Sequence, residues 1–202
     1  MGEHEPLILT PRILDYRDPR LRMVAEPACA DGELRRLIRA LTGALEASRT
    51  GVGIAAPQIG IPLQVAVYDT TRDDHETGER GILVNPRILS SGPALVSRSE
   101  GCLSAKGLRV DVPRAAAVEV ETLDLLGRPT RISASGFLAI VLQHEIDHLQ
   151  GLTITRFMVP VELAIRRVDG LAGRSGSSRR AATSITSSIG NLSQDPPDMS
   201  RT

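Results

Sequence analysis

Two histidines and a glutamate late in the chain have the spacing of a catalytic metal site. They stand in the run His144-Glu145-Ile146-Asp147-His148. On an α-helix, positions i and i+4 lie on one face, about 40° apart around the axis. Both imidazoles can then bind one metal ion, with Glu145 beside it as a candidate general base. Hydrolases use this arrangement to activate water near neutral pH.

The residues around this motif predict that its helix is buried. Apolar residues surround the helix from Phe137 to Leu142 and return at Leu149. A helix that is apolar on all sides belongs in a protein interior. Unpaired polar groups there cost roughly 2–7 kcal/mol each, which a bound metal would offset. The alternative is a solvent-facing polar stripe with inert histidines, which the apolar flanks disfavour. Ser135 is the expected N-cap and Gly151 the expected helix stop.

A cysteine is the candidate for a third ligand. Two histidines leave a tetrahedral site short of one protein ligand, and a thiolate would complete it with a fourth position open for water or substrate. Cys102 lies in the run Glu100-Gly101-Cys102-Leu103-Ser104. Cys29 competes for this role but has no functional-looking neighbour, so we assign it to structure. A small buried hydrophobe, the usual state of a lone cysteine, is the alternative for Cys102.

A glycine-rich run, Gly51-Val52-Gly53-Ile54-Ala55-Ala56-Pro57-Gln58, is a further candidate for the site. Its glycines allow the backbone to approach a ligand closely. Gln58 supplies an amide N–H that could meet a developing oxyanion. The alternatives are a simple turn and a phosphate-binding loop. The second is poorly supported, because the lysine and the strand-to-helix context of such loops are missing.

The composition excludes several other classes of protein. The chain has 24 Lys and Arg against 24 Asp and Glu, so its net charge gives no general case for nucleic acid or membrane binding. No apolar run approaches the roughly 20 residues that span a bilayer, and the acidic N-terminus lacks the apolar part of a secretory signal. Two cysteines are too few for a disulfide framework. We therefore expect a cytoplasmic enzyme with neither a membrane nor a specific DNA partner.

Hydrophobic periodicity predicts an α+β protein, with mixed or antiparallel β-sheets around the central buried H-E-x-x-H helix. An amphipathic helix is predicted over 31–49, with Asp31 as its cap. Further predictions are strands at 63–68, 82–84 and 117–122, a hairpin from the last of these into 130–133, loops at 50–60 and 70–80, and a short final helix at 160–168.

Composition also divides the chain into two parts. Residues 1–170 are predicted to form the catalytic domain. From about Gly173 the sequence turns to Ser, Arg, Thr and Gly, with few large apolar residues. Such a segment buries too little surface to offset its ordering entropy. Residues 171–202 are therefore predicted to be a disordered tail.

Taken together, the motifs resemble those of the peptide deformylases. The family signatures G-x-G-x-A-A-x-Q, E-G-C-L-S and Q-H-E-x-D-H-L-x-G match Gly51–Gln58, Glu100–Ser104 and Gln143–Gly151, in that order. The likeness extends over roughly Ile13 to Arg156. It implies the deformylase fold and removal of the formyl group from the N-terminal formyl-methionine of nascent polypeptides, with release of formate.

The resemblance also implies a role for each site residue. Glu145 would take a proton from metal-bound water and later return it to the departing amine. The Gln58 amide and the Leu103 backbone N–H would stabilise the oxyanion. The metal is implied to be Fe²⁺, with Zn²⁺, Ni²⁺ or Co²⁺ as substitutes. The implied metal ligands are Cys102, His144 and His148.

By the same resemblance, the backbone of Gly53 and its neighbours would align the substrate peptide as an added strand. Glu100 is expected to form a buried ion pair with Arg114 that supports the cysteine loop. For Arg109, a solvated charge is nearly as good an interpretation as a substrate contact. A further implied partner is the ribosome, near its exit tunnel. The implied substrate-binding residues are Gly53, Val52, Ile54, Glu100, Gly101 and Arg109.

Some positions depart from the family pattern. Lys106 stands where proline often follows a small apolar residue, and Thr153, Ile154 and Arg156 stand where a Leu, an aromatic residue and an Asp are usual. These departures bear on pocket shape more than on metal binding. Two other functions stay open. One is a zincin-like metallopeptidase, for which Glu162 is the nearest plausible downstream ligand, and the other is a non-catalytic, metal-binding paralogue associated with the ribosome.

Overall fold

The structure is a computed structural model that describes residues 11–72 and 78–158. The predicted final helix, the predicted domain boundary near residue 170, the tail and Glu162 lie outside these residues, as does part of the predicted loop at 70–80. Across the described ranges, no helix combines the length and the apolar character needed to cross a membrane.

Helix α1 (Gly32–Ala47) confirms the first predicted helix and its cap. The carboxylate of Asp31 accepts hydrogen bonds from the backbone N–H groups of Glu33 (2.9 Å) and Leu34 (3.0 Å). These bonds satisfy donors that an uncapped helix would leave unpaired. The leucines spaced along one face are buried, as the periodicity predicted. They are Leu34, Leu37, Leu41 and Leu45.

Eight strands in the described residues form three sheets. The first sheet has the order β1-β2-β3, with β1 at Gly53–Ala55, β2 at Val65–Asp69 and β3 at Arg80–Val84. The second has the order β4-β7-β8, with β4 at Arg87–Ser91, β7 at Ala117–Leu123 and β8 at Pro129–Ser135. The third pairs β5 (Leu95–Glu100) with β6 (Val110–Ala115). All of these strand pairs are antiparallel, which confirms the α+β class.

The hairpin of β7 and β8 follows the predicted alternation. Val118 and Val120 are buried on one face of β7, and the glutamates between and after them are partly exposed. The chain reverses through Gly127, whose φ of 77° is a left-handed conformation that glycine adopts without steric cost. Local sequence was sufficient here because one face is apolar and the turn residue is glycine.

The prediction of a loop at 50–60 was wrong. These residues contain strand β1 and a 3₁₀ turn at Ala56–Ile59. β1 is a strand because Gly53 pairs with Tyr68 and Ala55 with Ala66 on β2, contacts that local propensity does not encode. Strands β4, β5 and β6 were not predicted either. β5 is exposed along most of its length, so it lacks an apolar alternation that would reveal it.

Helix α2 (Gly136–Leu149) lies among the sheets and carries the H-E-x-x-H motif. Strands β1, β2, β6, β7 and β8 contact it, and its apolar residues are buried on every side, as predicted. Ser135 occupies the N-cap position, but its side chain makes no capping hydrogen bond. Gly151, with a φ of 72°, ends the helix as predicted, and its N–H donates to the His148 carbonyl (3.2 Å).

Strand β1 lies between two parts of the core. Ile54 packs into the cluster around α1, and Ala55 packs into the cluster around α2. Both residues are 0% exposed. A short strand held on both faces fixes the position of its first residue, Gly53, which lies against Glu145 of the helix motif.

Candidate active site

Helix α2 brings its two histidines and its glutamate to one place. The ring centroids of His144 and His148 are 5.0 Å apart, and the ring planes cross at 72°. Glu145 is 3% exposed and His148 is 1% exposed. The apolar helix therefore carries ionisable side chains into the interior, as its sequence predicted.

Cys102 joins the histidines from the loop between β5 and β6. Its Sγ lies 3.3 Å from His148 Nε2, and the three donor atoms of Cys102, His144 and His148 all lie within 4.8 Å of one another. Donors bound tetrahedrally to one ion at about 2.0–2.3 Å are about 3.3–3.6 Å apart. The cluster is therefore compact enough for a single ion. Cys29, the competing candidate, is exposed and is not part of this group.

The histidines favour the ionised form of the cysteine. Burial alone raises the pKa of the Cys102 thiol, but the positive charge of His148 and hydrogen bonds to both histidines bring it well below its ordinary value. Burial has the opposite effect on His144 and lowers its pKa, but the hydrogen bonds of His144 to Cys102 and Glu100 raise that pKa well above the ordinary value. Because the thiolate is the form that binds metals, this pairing prepares the sulfur for a cation.

Glu100 holds one histidine from behind. Its Oε2 lies 2.8 Å from His144 Nδ1. In the neutral ring, this bond keeps the proton on Nδ1 and leaves the lone pair of Nε2 for a metal ion. The Arg114 guanidinium donates to both oxygens of Glu100, at 2.7 and 3.0 Å, as expected. It also donates to Asp147 at 2.7 Å. Burial raises the pKa of Glu100, but the bonds from His144 and Arg114 keep it below its ordinary value.

The carboxyl of Glu145 lies against Gly53. A Cβ at position 53 would be 2.3 Å from Glu145 Oε1, so only glycine leaves room for the carboxyl. The pKa of Glu145 is raised from 4.5 to about 7. Burial is the largest cause, the charges of Cys102 and Glu100 raise the pKa further, and those of the two histidines lower it. Its Oε2 is buried and has no hydrogen-bond partner among the described residues. A buried, unpaired carboxyl of this kind is typical of a catalytic acid–base group.

Gln58 approaches the cysteine from the 3₁₀ turn that follows β1. Its Oε1 accepts a hydrogen bond from the Ala55 N–H (2.8 Å), which turns Nε2 toward Cys102 Sγ (3.5 Å) and Ser104 Oγ (3.2 Å). The segment after residue 11 joins both loops, because the Leu14 N–H donates to the Gln58 carbonyl and the Tyr16 N–H to the Ser104 carbonyl, each at 2.8 Å. The amide is therefore fixed beside the metal-ligand cluster.

A cavity of about 1260 Å³ is lined by Gln58, Cys102, His144 and Glu145, whereas the predicted ligand His148, which is 1% exposed, does not line it. Most of the predicted substrate residues line it, but the side chain of Ile54 does not, because it is buried in the α1 cluster. Glu100 reaches the cavity with both carboxylate oxygens already engaged by Arg114 and His144. The predicted residues that line the cavity are Val52, Gly53, Gln58, Glu100, Gly101, Cys102, Leu103, Arg109, His144 and Glu145.

The sequence did not assign roles to three supporting residues. Ser104 pairs with Gln58, and Asp147 pairs with Arg114. Gln143 binds both backbone groups of Ala115, accepting from its N–H (3.0 Å) and donating to its carbonyl (2.9 Å). For Gln143 and Asp147, the available signal was a polar residue among the apolar residues of α2, and for Ser104 it was the short run Glu100–Ser104 around the cysteine.

Known proteins are similar to this chain in sequence and in fold. The model of the Polypeptide deformylase family matches residues 10–163. A peptide deformylase of Thermomicrobium roseum is 44% identical over 144 residues, which are 69% of this chain and 81% of that protein. Peptide deformylase 2 of Vibrio cholerae is 38% identical over 158 residues, covering 77% and 92%. A crystal structure of a peptide deformylase from Legionella pneumophila superposes with a TM-score of 0.70 at 38% identity, covering 83% and 99%.

The α+β fold and the Cys-His-His cluster beside a buried glutamate define a hydrolase with a site for a divalent metal. The comparisons make that class specific. This chain belongs to the polypeptide deformylase family, the enzymes that remove the N-formyl group from nascent peptides.

Proposed function

We propose that Cys102, His144 and His148 hold the divalent metal of this enzyme and that Glu145 moves the proton during deformylation. The observation that carries this proposal is the convergence of three donor atoms within 4.8 Å, with a buried carboxyl adjacent on the same helix. The substrate class is formyl-methionyl peptides, in keeping with the family.

The chemistry of the donors fits a divalent ion. A thiolate and two imidazoles suit both Fe²⁺ and Zn²⁺, so the ligand set alone does not select between them. Following the resemblance to the family, we propose Fe²⁺, with Zn²⁺, Ni²⁺ or Co²⁺ able to replace it. When bound, such an ion supplies Lewis-acid activation of water and of the formyl oxygen.

Glu145 is proposed as base and then acid. In the protein without metal its pKa is about 7, and a cation in the cluster favours the carboxylate, the form that accepts a proton. Glu145 accepts a proton from the attacking water and returns it to the amine when the formyl C–N bond breaks. The apolar surroundings of α2 keep bulk water away from this transfer.

Two donors are proposed to stabilise the negative charge that develops on the formyl oxygen. One is Gln58 Nε2, held 3.5 Å from Cys102 Sγ, and the other is the backbone N–H of Leu103, the residue after the cysteine. Donors that are already fixed in place need no reorganisation during the reaction. The bond from the Ala55 N–H to Gln58 Oε1 gives the amide that fixed orientation.

The substrate peptide is proposed to bind as an additional strand at β1. This strand is at the edge of its sheet within the described residues, and Val52 and Gly53 line the cavity. Edge strands offer unpaired backbone groups to an extended peptide, a mode that needs little side-chain specificity. Gly101 and Arg109 also line the cavity. Arg109 is proposed to contact the peptide beyond the methionine.

The test uses protein purified without oxygen, so that iron and the thiolate are preserved. Metal content and formate release from formyl-Met-Ala-Ser are measured on the same sample, for the native chain and for Glu145→Gln. We expect about one metal per chain in both and a loss of turnover of at least about 100-fold in the variant. Normal turnover of Glu145→Gln would refute its role. Metal binding without any turnover by the native chain would favour the non-catalytic alternative, and cleavage of unformylated peptides would favour the metallopeptidase.

We further propose that the enzyme works in the cytoplasm, at ribosomes, where formylated chains emerge. Co-sedimentation with ribosomes, with and without residues 171–202, tests the association. Deformylation of the short peptide should not depend on that segment. A large loss of turnover after its removal would show that it belongs to the catalytic domain.

A further inference from the structure

The cavity has a charge that the chain as a whole does not have. The sequence is neutral overall, with 24 positive and 24 negative side chains. Three carboxyl side chains line the cavity, namely Asp15, Glu100 and Glu145. Six cationic side chains line it, namely Arg12, Arg49, Arg72, Arg98, Lys106 and Arg109.

The carboxyl groups do little to cancel this charge. Glu100 is engaged by Arg114 and His144 and sits beneath the metal-ligand cluster. Glu145 is 3% exposed and lies on α2 next to the metal ligand His144, so its charge faces the metal-ligand cluster. Asp15 accepts a hydrogen bond from the Arg17 N–H and forms an ion pair with the Arg17 side chain at 3.5 Å.

Cationic residues line the cavity next to the proposed path of the peptide. Residues 47–53, from the end of α1 to the first residue of β1, line the cavity, and residues 54–57 do not. A peptide paired with β1, with its formyl group at Glu145 and Gly53, therefore extends along residues 47–52. Arg49 lies in this segment, four residues before Gly53, within the bends between α1 and β1.

The loop that carries Cys102 contributes more positive charge to the same cavity. Lys106 and Arg109 lie in this loop, between β5 and β6, and are exposed. The Arg109 guanidinium donates to the Ser99 carbonyl (3.0 Å), a neutral acceptor that does not cancel its charge. Two separate segments thus line the cavity with cations.

We propose that this cleft selects nascent peptides with acidic residues directly after the formyl-methionine, through attraction by Arg49 in the segment before β1 and by Lys106 and Arg109 in the cysteine loop. The inference rests on the proposed peptide path along β1. A cleft lined by charges of one sign concentrates the field and speeds the capture of ligands of opposite charge. The attraction is screened by salt, because the cationic groups are exposed.

The experiment compares three peptides with amidated C-termini, formyl-Met followed by Asp-Asp-Ala, Ala-Ala-Ala or Lys-Lys-Ala. At low ionic strength we expect kcat/KM for the acidic peptide to exceed that for the basic peptide by about tenfold or more. At about 0.5 M salt the ratio should fall to about twofold. Equal values at low ionic strength would overturn the inference.

Variants locate the effect within the cleft. The double variant Arg49→Gln with Lys106→Gln should reduce the acidic-to-basic ratio to about threefold or less. The double variant Arg35→Gln with Arg39→Gln removes the same two charges from exposed positions on α1 outside the cleft and should keep the full ratio. An unchanged ratio in the Arg49 and Lys106 double variant would also overturn the inference. Absence of formate from the neutral peptide would instead refute the proposed function.

Discussion

Replacing Gly53 with alanine tests whether the position of the Glu145 carboxyl controls catalysis. The new Cβ would lie 2.3 Å from Glu145 Oε1, 2.8 Å from Cδ and 3.1 Å from Cγ. Gly53 is not among the glycines with positive φ, so alanine introduces no backbone strain. The substitution therefore acts on one side chain through a steric contact.

The size of the effect follows from the displacement. An ordinary contact between these atoms is about 3.4 Å, so the carboxyl must move by about 1 Å. A misplacement of about 1 Å at a reacting group costs about 100-fold in rate, close to 2.7 kcal/mol in the barrier. The three atoms nearest to the new methyl group all belong to Glu145, so we expect the metal content not to change.

The assay measures kcat for formyl-Met-Ala-Ser and the metal content of the same preparation. Gly43→Ala is the matched control, because a Cβ at that position on α1 meets nothing within 4 Å. That control should keep full kcat and gain about 0.5–1 kcal/mol of stability from the higher helix propensity of alanine. A kcat of Gly53→Ala within about threefold of the native value would refute the steric argument.

Three further predictions concern the groups around the site. Glu100→Gln removes the charge that pairs with Arg114 and weakens the acceptor for His144. Metal titration should therefore show an affinity about 10–100-fold lower, and urea unfolding should show a loss of stability of about 3 kcal/mol. An unchanged metal affinity would contradict the supporting role of Glu100. In metal-free protein the pKa of Glu145 is raised from 4.5 to about 7, so its contribution to stability is present below pH 4.5 and is lost as pH rises through 7, by up to about 3 kcal/mol. Glu145→Gln should remove that dependence from melting temperatures recorded between pH 5 and 8, and identical pH profiles would count against the raised pKa. Gly151→Ala meets the Arg22 carbonyl at 2.6 Å and needs a φ of 72°, so it should destabilise the fold by more than about 1 kcal/mol in urea unfolding, and a neutral result would contradict the close packing at the end of α2.

The sequence was most informative where a contact is local. The spacing of His144 and His148 is a property of one helix, and the apolar residues around them predicted its burial correctly. The same holds for α1 with its Asp31 cap and for the alternating strand β7. In each case, the residues that determine the element lie within a few positions of one another.

Strand β1 shows where local information ended. Its glycine and small residues read as a loop, and only pairing with β2 makes them a strand. That pairing buries the Ile54 side chain in the α1 cluster instead of presenting it to the substrate. It also places Gly53 against Glu145. Glycine at this position therefore makes room for the carboxyl, in addition to letting a ligand approach the backbone.

What the sequence determined by itself is the set of candidate reacting groups and the helix that carries most of them, because residue chemistry and helical periodicity are readable within one segment. Tertiary structure alone decided that Cys102 Sγ comes within 3.3 Å of His148 and within 3.5 Å of Gln58, that Asp147 pairs with Arg114 and that Ser104 pairs with Gln58. These contacts join segments that are far apart in the chain. Their distances depend on how the sheets pack around α2, and no local pattern in the residues encodes that packing.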